Sequence, residues 1–211
     1  MFSSILKLFG HKGKEEKEKT ALSKESLNDQ ISKSMQAFNN RPIHSVLTMK
    51  ILNAVSDEDL EQTIIDNLYA KFEADADYEK QYETIQSLSA GRQAVFATWG
   101  LEAEVLNGGF NQYFYNFTSS GQYVEEARDG FVLIGSNTLA DLTQRAMDMM
   151  MDNAEYLGKF RDGTLESFSK SYENNPLNNL DNEFYELVNN EDISQLRINY
   201  IKAHKFEFID K

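Results

Sequence analysis

The residue best placed to do chemistry is Glu102, a carboxylate within the most hydrophobic stretch of the chain. The apolar face of a helix predicted over residues 92–106 consists of Val95, Trp99, Ala103 and Leu106. Glu102 falls in the middle of that face, where a carboxylate is costly unless it accepts hydrogen bonds. One alternative is a general base, but Glu104, the other acid in residues 102–116, points the opposite way, and the segment contains no histidine or nucleophile to act with Glu102. We therefore predict that Glu102 accepts from free amides at the start of the next helix, or from tyrosine hydroxyls there.

Other patterns that could form metal, phosphate or redox sites are weak. The three histidines, His11, His44 and His204, are too far apart in sequence to form a helical metal-binding pair. The Gly108-Gly109 pair lacks the lysine, hydroxyl residue and preceding strand of a phosphate loop. The methionine-rich run 147–151 is typical of core filling. There is no cysteine. We predict no catalytic residue, no metal and no cofactor, and hence a protein that is not an enzyme.

The segment after Glu102 predicts a corner between two helices. Asn107, Gly108 and Gly109 are typical of a helix end, because glycine adopts the left-handed conformation without penalty. The next helix is predicted over residues 111–117, and its apolar face consists of Phe110, Tyr113, Phe114 and Phe117. Such a stripe is more typical of a core than of a platform for stacking nucleic-acid bases.

The remaining pattern indicates helices throughout. Only two prolines and eleven glycines interrupt 211 residues, of which 41% are hydrophobic. Two apolar stripes at helical spacing follow Ser56: Leu60, Ile64, Leu68 and Phe72, then Tyr78, Tyr82, Ile85 and Leu88. A sharply amphipathic helix is predicted from about residue 137 to Tyr156. We predict an all-α fold, a single compact multi-helix domain, with a short C-terminal strand at Phe206–Ile209.

We expect three regions: a flexible charged N-terminal tail over residues 1–20, an N-terminal helical segment over 21–74, and the main helical domain over 75–205. Met1–Phe9 is too short for a secretory signal. Its use as a membrane anchor is disfavoured, because one short apolar face binds membranes only marginally. No apolar run approaches the ~20 residues that span a bilayer. A cytoplasmic protein is predicted.

Charge is distributed unevenly along the chain. The formal net charge is −13. Residues 1–50 carry +4, from nine Lys/Arg and five Asp/Glu, whereas residues 51–211 carry −17, from twelve and twenty-nine. A body this acidic repels nucleic acid, since duplex binding depends on neutralising phosphates. It attracts basic surfaces instead. The general alternative for an acidic protein is that the charge serves only solubility.

A sequence block around the predicted corner resembles that of a bacterial family of DNA-mimic-type proteins. The block is E-x-E-x-x-N-G-G-[FW]-x-Q-[YF]-[FY]-x-N, and here it consists of Glu102, Glu104, Asn107, Gly108, Gly109, Phe110, Gln112, Tyr113, Phe114 and Asn116. The resemblance extends over about residues 75–200 and makes 75–205 a DNA-mimic-type helical domain. It implies an all-helical protein whose acidic face imitates DNA phosphates and occupies the DNA-binding site of a transcription factor or other nucleic-acid-binding protein. The block residues themselves read as core and caps.

Acidic residues at helical spacing are the candidate partner-binding residues. One row consists of Asp141, Asp148, Asp152 and Glu155, which span about 21 Å of one predicted helix edge. A second row consists of Asp57, Glu58, Glu61, Glu73, Asp75, Asp77 and Glu79. The spacing is compatible with imitation of phosphates, and the layout of the rows depends on the fold.

The leading hypothesis is a regulatory binding protein whose partner is a basic protein surface, most simply a DNA-binding protein, with no direct contact to nucleic acid. A homodimer is compatible with it. The first alternative is an immunity or antitoxin-like protein that neutralises a toxin. The second is an enzyme with a site near Glu102.

Overall fold

Eleven α-helices and one 3-10 turn form the regular structure of residues 24–116 and 123–210, the part of the chain that the computed structural model describes. In chain order they are α1 (Lys24–Asn39), α2 (Met49–Ala54), α3 (Asp57–Tyr69), α4 (Tyr78–Gln86), α5 (Ala90–Asn116), α6 (Val124–Ile134), α7 (Asn137–Asp152), α8 (Ala154–Gly158), α9 (Leu165–Lys170), α10 (Asn178–Asn190), α11 (Ile193–Ala203) and the 3-10 turn Lys205–Glu207. The all-α prediction is confirmed. The predicted tail and Phe117 lie outside the described residues.

Helix α3 follows the local signals of its sequence. Its first turn carries three acids, which favour the positive end of the helix dipole. Ser56 occupies the N-cap position, but its hydroxyl donates to Asp59 Oδ2 (2.8 Å) rather than accepting from a backbone amide. Leu60, Ile64 and Leu68 are fully or almost fully buried, as their spacing predicts. This apolar stripe packs α3 against α5 and α11.

Helix α5 is the centre of the fold and is buried on several sides. It packs against α3, α4, α6, α10 and α11. The predicted face was only partly right: Val95 is fully buried, but Trp99, Ala103 and Leu106 are half-buried. The most deeply buried positions also include Leu101 and Val105. A helix surrounded by neighbours is apolar nearly all round, so its periodicity does not single out one face.

Two hydrophobic cores share α5. The first joins α5 to α6, α7 and α10, and includes Leu101, Phe110, Phe131 and Phe184. The second joins α5 to α2, α3, α11 and the C-terminal turn, and includes Leu52, Ile64, Val95, Ile201 and Phe208. The second core therefore draws together residues from both sides of position 74, the predicted boundary between the N-terminal segment and the main domain.

The predicted C-terminal strand is wrong. Residues 205–207 form a 3-10 turn, and the described part of the chain contains no strand with which a strand there could pair. Phe208 is fully buried, and its carbonyl accepts from Arg92 Nη2 (2.6 Å). Asp210 accepts from Arg92 Nη1 (2.8 Å), from Lys71 Nζ (2.7 Å) and from the Leu47 amide (2.7 Å). Side chains thus anchor the terminus.

The anchoring carboxylate is held in its charged form. Burial raises the pKa of Asp210, but hydrogen bonds from Arg92, Lys71 and the Leu47 amide outweigh burial and lower the pKa below its usual value.

No described helix is both long enough and apolar enough to cross a membrane.

Replacement of Asp210 by Asn should reduce the free energy of unfolding by roughly 2 kcal/mol at pH 7, because Arg92 and Lys71 lose their shared anion. A carboxyl with a lowered folded-state pKa stabilises above its unfolded pKa, near 3.9, and that stabilisation is lost as pH falls toward the folded value. In urea unfolding, the difference in free energy of unfolding between wild type and variant should therefore become smaller as the pH falls from 5 to 2. Asp152→Asn, at an exposed position, is the control. A difference in unfolding free energy that does not change with pH would contradict the conclusion that charged Asp210 stabilises the fold.

Candidate functional site

Arg197, on α11, is a deeply buried charged side chain, with 1% of its surface exposed. Its Nε donates to Glu61 Oε1 on α3, and its Nη2 donates to Glu102 Oε2 on α5. Ser194 Oγ donates to the second oxygen of Glu61 (2.7 Å). Burial alone would lower the pKa of Arg197, but the two carboxylates outweigh it and the pKa is raised. The group therefore stays charged and joins three helices.

The predicted partner of Glu102 was wrong. The carboxylate does not cap the next helix turn but accepts from Arg197, which lies 95 residues further along the chain. The amide at the start of that turn, Phe110 N, donates instead to Asp181 Oδ1 (2.7 Å). Arg197 could have been identified from the sequence by its position among the apolar residues Ile193, Ile198 and Ile201, which are buried in the structure. An arginine on an apolar helix face needs an anion.

The corner between the two halves of α5 is confirmed at Gly108 and Gly109. Gly109 has φ 73° and ψ −179°, a conformation essentially restricted to glycine. A Cβ atom there would lie 2.3 Å from Asp181 Oδ2. A Cβ atom on Gly108 would lie 2.2 Å from Gln112 Oε1, and the Gly108 carbonyl accepts from the Tyr172 hydroxyl (3.0 Å). Gly109 is therefore required by its backbone conformation and by the close approach of Asp181, whereas a side chain on Gly108 would require the ends of the Gln112 and Tyr172 side chains to move.

Other residues of the sequence block close this corner. Glu104 Oε2 accepts from Gln112 Nε2 (2.8 Å) and from Asn116 Nδ2 (2.9 Å). Phe110 and Tyr113 are fully buried in the first core. Asn107 is exposed. Glu104, Gln112 and Asn116, with the buried aromatic residues of the block, therefore hold the corner together, whereas Glu102 binds Arg197.

Asp181 has a distinct environment beneath the corner. It lies against Gly109 and accepts from Phe110 N, at the start of the second half of α5. Burial raises its pKa, and the Phe110 amide opposes that increase. Its position is that of a helix cap, supplied by α10 rather than by the residue preceding the helix turn. No sequence motif identified it.

The first acidic row is interrupted by a helix end. Asp141, Asp148 and Asp152 are all exposed on α7. The helix ends at Asp152 rather than near Tyr156, because Asn153 leaves the helical conformation (φ −112°, ψ 15°) and its Nδ2 donates to the Met149 carbonyl (2.8 Å). Glu155 lies on the separate helix α8, so the predicted continuous edge of four acids is wrong. Three acids remain, over about 17 Å of α7.

Arg145 and Gln144 form hydrogen bonds with two acids of this row. Arg145 Nε donates to Asp141 Oδ2 (3.0 Å). The same guanidinium donates to both oxygens of Glu183 on α10. Asp148 accepts from Gln144 Nε2 (2.9 Å). Arg145 therefore interrupts the row of acids, and its charge is shared between Asp141 and Glu183.

The second acidic row divides into two patches. Asp57 and Glu58 begin α3, whereas Glu73, Asp75, Asp77 and Glu79 follow its end, about 20 Å away along the 13-residue helix. Asp57 accepts from Lys202 Nζ (2.6 Å), and Asp77 caps α4 by accepting from the Lys80 amide (3.0 Å). Glu61, predicted as a surface residue, faces inward to Arg197. The row is not continuous.

The distribution of charge over the fold is strongly asymmetric. In residues 51–116 and 123–210, nineteen Asp and Glu residues are exposed against five Lys and Arg residues. Arg92 and Arg197 are buried, and both bind carboxylates inside the fold. These two arginines neutralise acids inside the fold, and the solvent-exposed surface is left acidic.

No group of His, Asp or Glu within residues 24–116 and 123–210 is arranged to hold a metal ion. The fold and the charge distribution define an all-helical protein with an acidic surface and a glycine corner at its centre. A sequence model described as DMP19-like protein matches residues 86–204, and the chain belongs to this family. The match includes the corner, Arg197 and Asp181. Neither a search of curated proteins nor one of solved structures found a match.

Arg197→Met should lower the free energy of unfolding by roughly 3–5 kcal/mol, because two inward-facing carboxylates lose their cation. Arg145→Met is the matched control: it also removes an arginine bound to two carboxylates, but that side chain is 41% exposed, so the loss should be less than about 1 kcal/mol. Denaturant unfolding of both variants measures the difference. Equal losses would show that the buried network is not specially important.

Gly109→Ala should destabilise the protein by more than about 2 kcal/mol, since it combines backbone strain with a clash against Asp181. Gly135→Ala is the control: its φ is also positive, at 98°, but an added Cβ meets nothing within 4 Å, so roughly 1 kcal/mol is expected. Thermal and urea unfolding compare the two. A smaller loss for Gly109→Ala than for Gly135→Ala would contradict the packing argument.

Proposed function

We propose that the chain is an acidic, non-enzymatic binding protein that imitates DNA phosphates and occupies the DNA-binding surface of a basic protein, such as a transcription factor. Membership of the DMP19-like family, a DNA-mimic family, supports the proposal. The observation that carries it is the excess of exposed acids over exposed bases, nineteen to five in the described residues from 51 onward.

The internal ion pairs explain how the fold maintains that excess. Arg92 and Arg197 lie inside, where they bind Asp210 and the pair Glu61 and Glu102. At the edge of the fold, Arg41 Nε and Nη2 donate to Asp66 (2.5 and 2.6 Å). These cations offset carboxylates that do not face a partner. The exposed acids therefore keep a negative field that a basic surface would meet during approach.

The spacing of acids along α7 favours a general resemblance to the negative electrostatic field of DNA over an exact match to each phosphate position. Asp141 and Asp148 are about 10 Å apart along the helix axis, and Asp148 and Asp152 about 6 Å apart. A DNA strand has one phosphate per ~3.4 Å of axis. The helix edge thus carries a charge for roughly every second or third phosphate. Such a surface attracts clustered Lys and Arg without reproducing the position of each phosphate.

The two alternative functions have less support. An enzyme near Glu102 would need that carboxylate for the reaction, but its Oε2 already binds buried Arg197. The DMP19-like family is not known as an enzyme family. A toxin-neutralising role would use the same acidic surface, and the identity of the captured partner distinguishes it from DNA mimicry.

Competition with DNA tests the proposal. The immobilised chain should capture a basic DNA-binding protein from nuclease-treated bacterial lysate. Duplex DNA should displace that protein, and about 0.5 M salt should elute it, because the attraction is electrostatic. The variant Asp141→Asn/Asp148→Asn/Asp152→Asn should bind the purified partner about tenfold more weakly.

The control variant removes the same charge elsewhere: Glu166→Gln/Glu173→Gln/Glu186→Gln, all at exposed positions. Its affinity should fall only slightly, since the rim of a charged surface contributes mainly to the rate of encounter. Capture that survives high salt, or that DNA cannot compete away, would refute the proposal. Equal losses of affinity in the two triple variants would refute the assignment of the binding surface to the acids of α7.

A further inference from the structure

Two exposed tyrosines lie at the ends of the acidic linker between α3 and α4. Tyr69, the last residue of α3, is 45% exposed, and Tyr78, the first residue of α4, is 53% exposed. Between them, residues 70–77 contain the exposed acids Glu73, Asp75 and Asp77. Large aromatic side chains at the surface are costly to leave in water, and at interfaces they often provide much of the binding energy.

Buried and half-buried rings pack against Tyr69. The Tyr69 ring centroid lies 5.5 Å from that of Phe72, 5.7 Å from Phe96 and 6.1 Å from Trp99. The Phe96 ring continues the cluster to Tyr123, at 5.4 Å. Tyr69 is therefore held by neighbouring rings on one side and open to solvent on the other. A preorganised aromatic of this kind loses little entropy on binding.

Carboxylates surround the aromatic cluster. Glu126 Oε1 accepts from the Tyr82 hydroxyl (2.5 Å) and from Gln86 Nε2 (2.7 Å), and it raises the pKa of Tyr82 to about 12. Burial, then Tyr78 and Glu104, raise the pKa of Tyr69. Lys71, a neighbouring base, is bound to Asp210 (2.7 Å). The rings thus lie in a negative field, which disfavours nucleic-acid bases and a second acidic copy of the chain.

We propose that Tyr69, Glu73, Asp75, Tyr78 and Glu79 form a docking surface for arginine side chains of the basic partner, here called the tyrosine–acid surface. This inference rests on the proposed function. A guanidinium stacks on an aromatic face while its N–H groups donate to a carboxylate at the ring edge. An ammonium group, compact and strongly hydrated, does not combine these two contacts. The surface therefore selects arginine over lysine, beyond the attraction of opposite charge.

Two fluorescent peptides of equal length and charge, one all arginine and one all lysine, test the inference by anisotropy titration at physiological salt. Wild type should bind the arginine peptide about fivefold more tightly, as expected for cation–π contacts at exposed sites. Tyr69→Leu/Tyr78→Leu should bring that ratio close to one and leave the affinity for the lysine peptide unchanged. Phe206→Leu is the control, since Phe206 is 81% exposed and follows a lysine rather than acids.

The single variant Tyr78→Leu protects the test against misfolding, because Tyr78 lies at the surface at the first position of α4. It should lower the arginine-to-lysine ratio about twofold even if the double variant is unstable. Equal binding of both peptides by wild type, with normal salt dependence, would overturn the inference and leave the proposed function intact. An unchanged ratio in the tyrosine variants would overturn it too. Failure to bind either peptide at low salt would overturn both proposals.

Discussion

The guanidinium of Arg197 imposes the strongest constraint on this fold. A positive charge with 1% of its surface exposed must have anions at contact distance, and Glu61 and Glu102 supply them from two other helices. Helices α3, α5 and α11 are therefore fixed relative to one another by charge as well as by apolar packing. Arg92 acts in the same way near the C-terminus, where it binds Asp210 and the Phe208 carbonyl. Both arginines hold distant parts of the chain together, and both place positive charge where solvent does not reach it.

The glycine corner and the arginine network lie close together on α5. Glu102 lies less than two turns before Gly108. On the far side of the corner, Asp181 binds the Phe110 amide and occupies the space that a side chain on Gly109 would need. The contacts of the sequence block are thus structural: they fix the corner and the packing of α5 against α10 and α11.

Local sequence patterns predicted the local features of the structure. The helical content, the buried stripe of α3 and the corner at Gly108-Gly109 follow from periodicity and from the conformations open to glycine. Contacts between distant residues could not be predicted in this way. The pairing of Glu102 with Arg197 spans 95 residues, and the cap on Phe110 comes from another helix. The end of α7 at Asn153 was missed because a single amide, bonded to a carbonyl one turn back, stopped an otherwise favourable amphipathic pattern.

The unequal exposure of acids and bases has a consequence for the isolated protein. The nineteen exposed carboxylates of residues 51–116 and 123–210 repel one another, and few exposed cations lie between them to relieve that repulsion. Added salt screens the repulsion and so favours the compact state. The same screening weakens attraction to any basic molecule. Ionic strength therefore moves the two properties in opposite directions: the protein is most resistant to unfolding under the conditions in which it associates least.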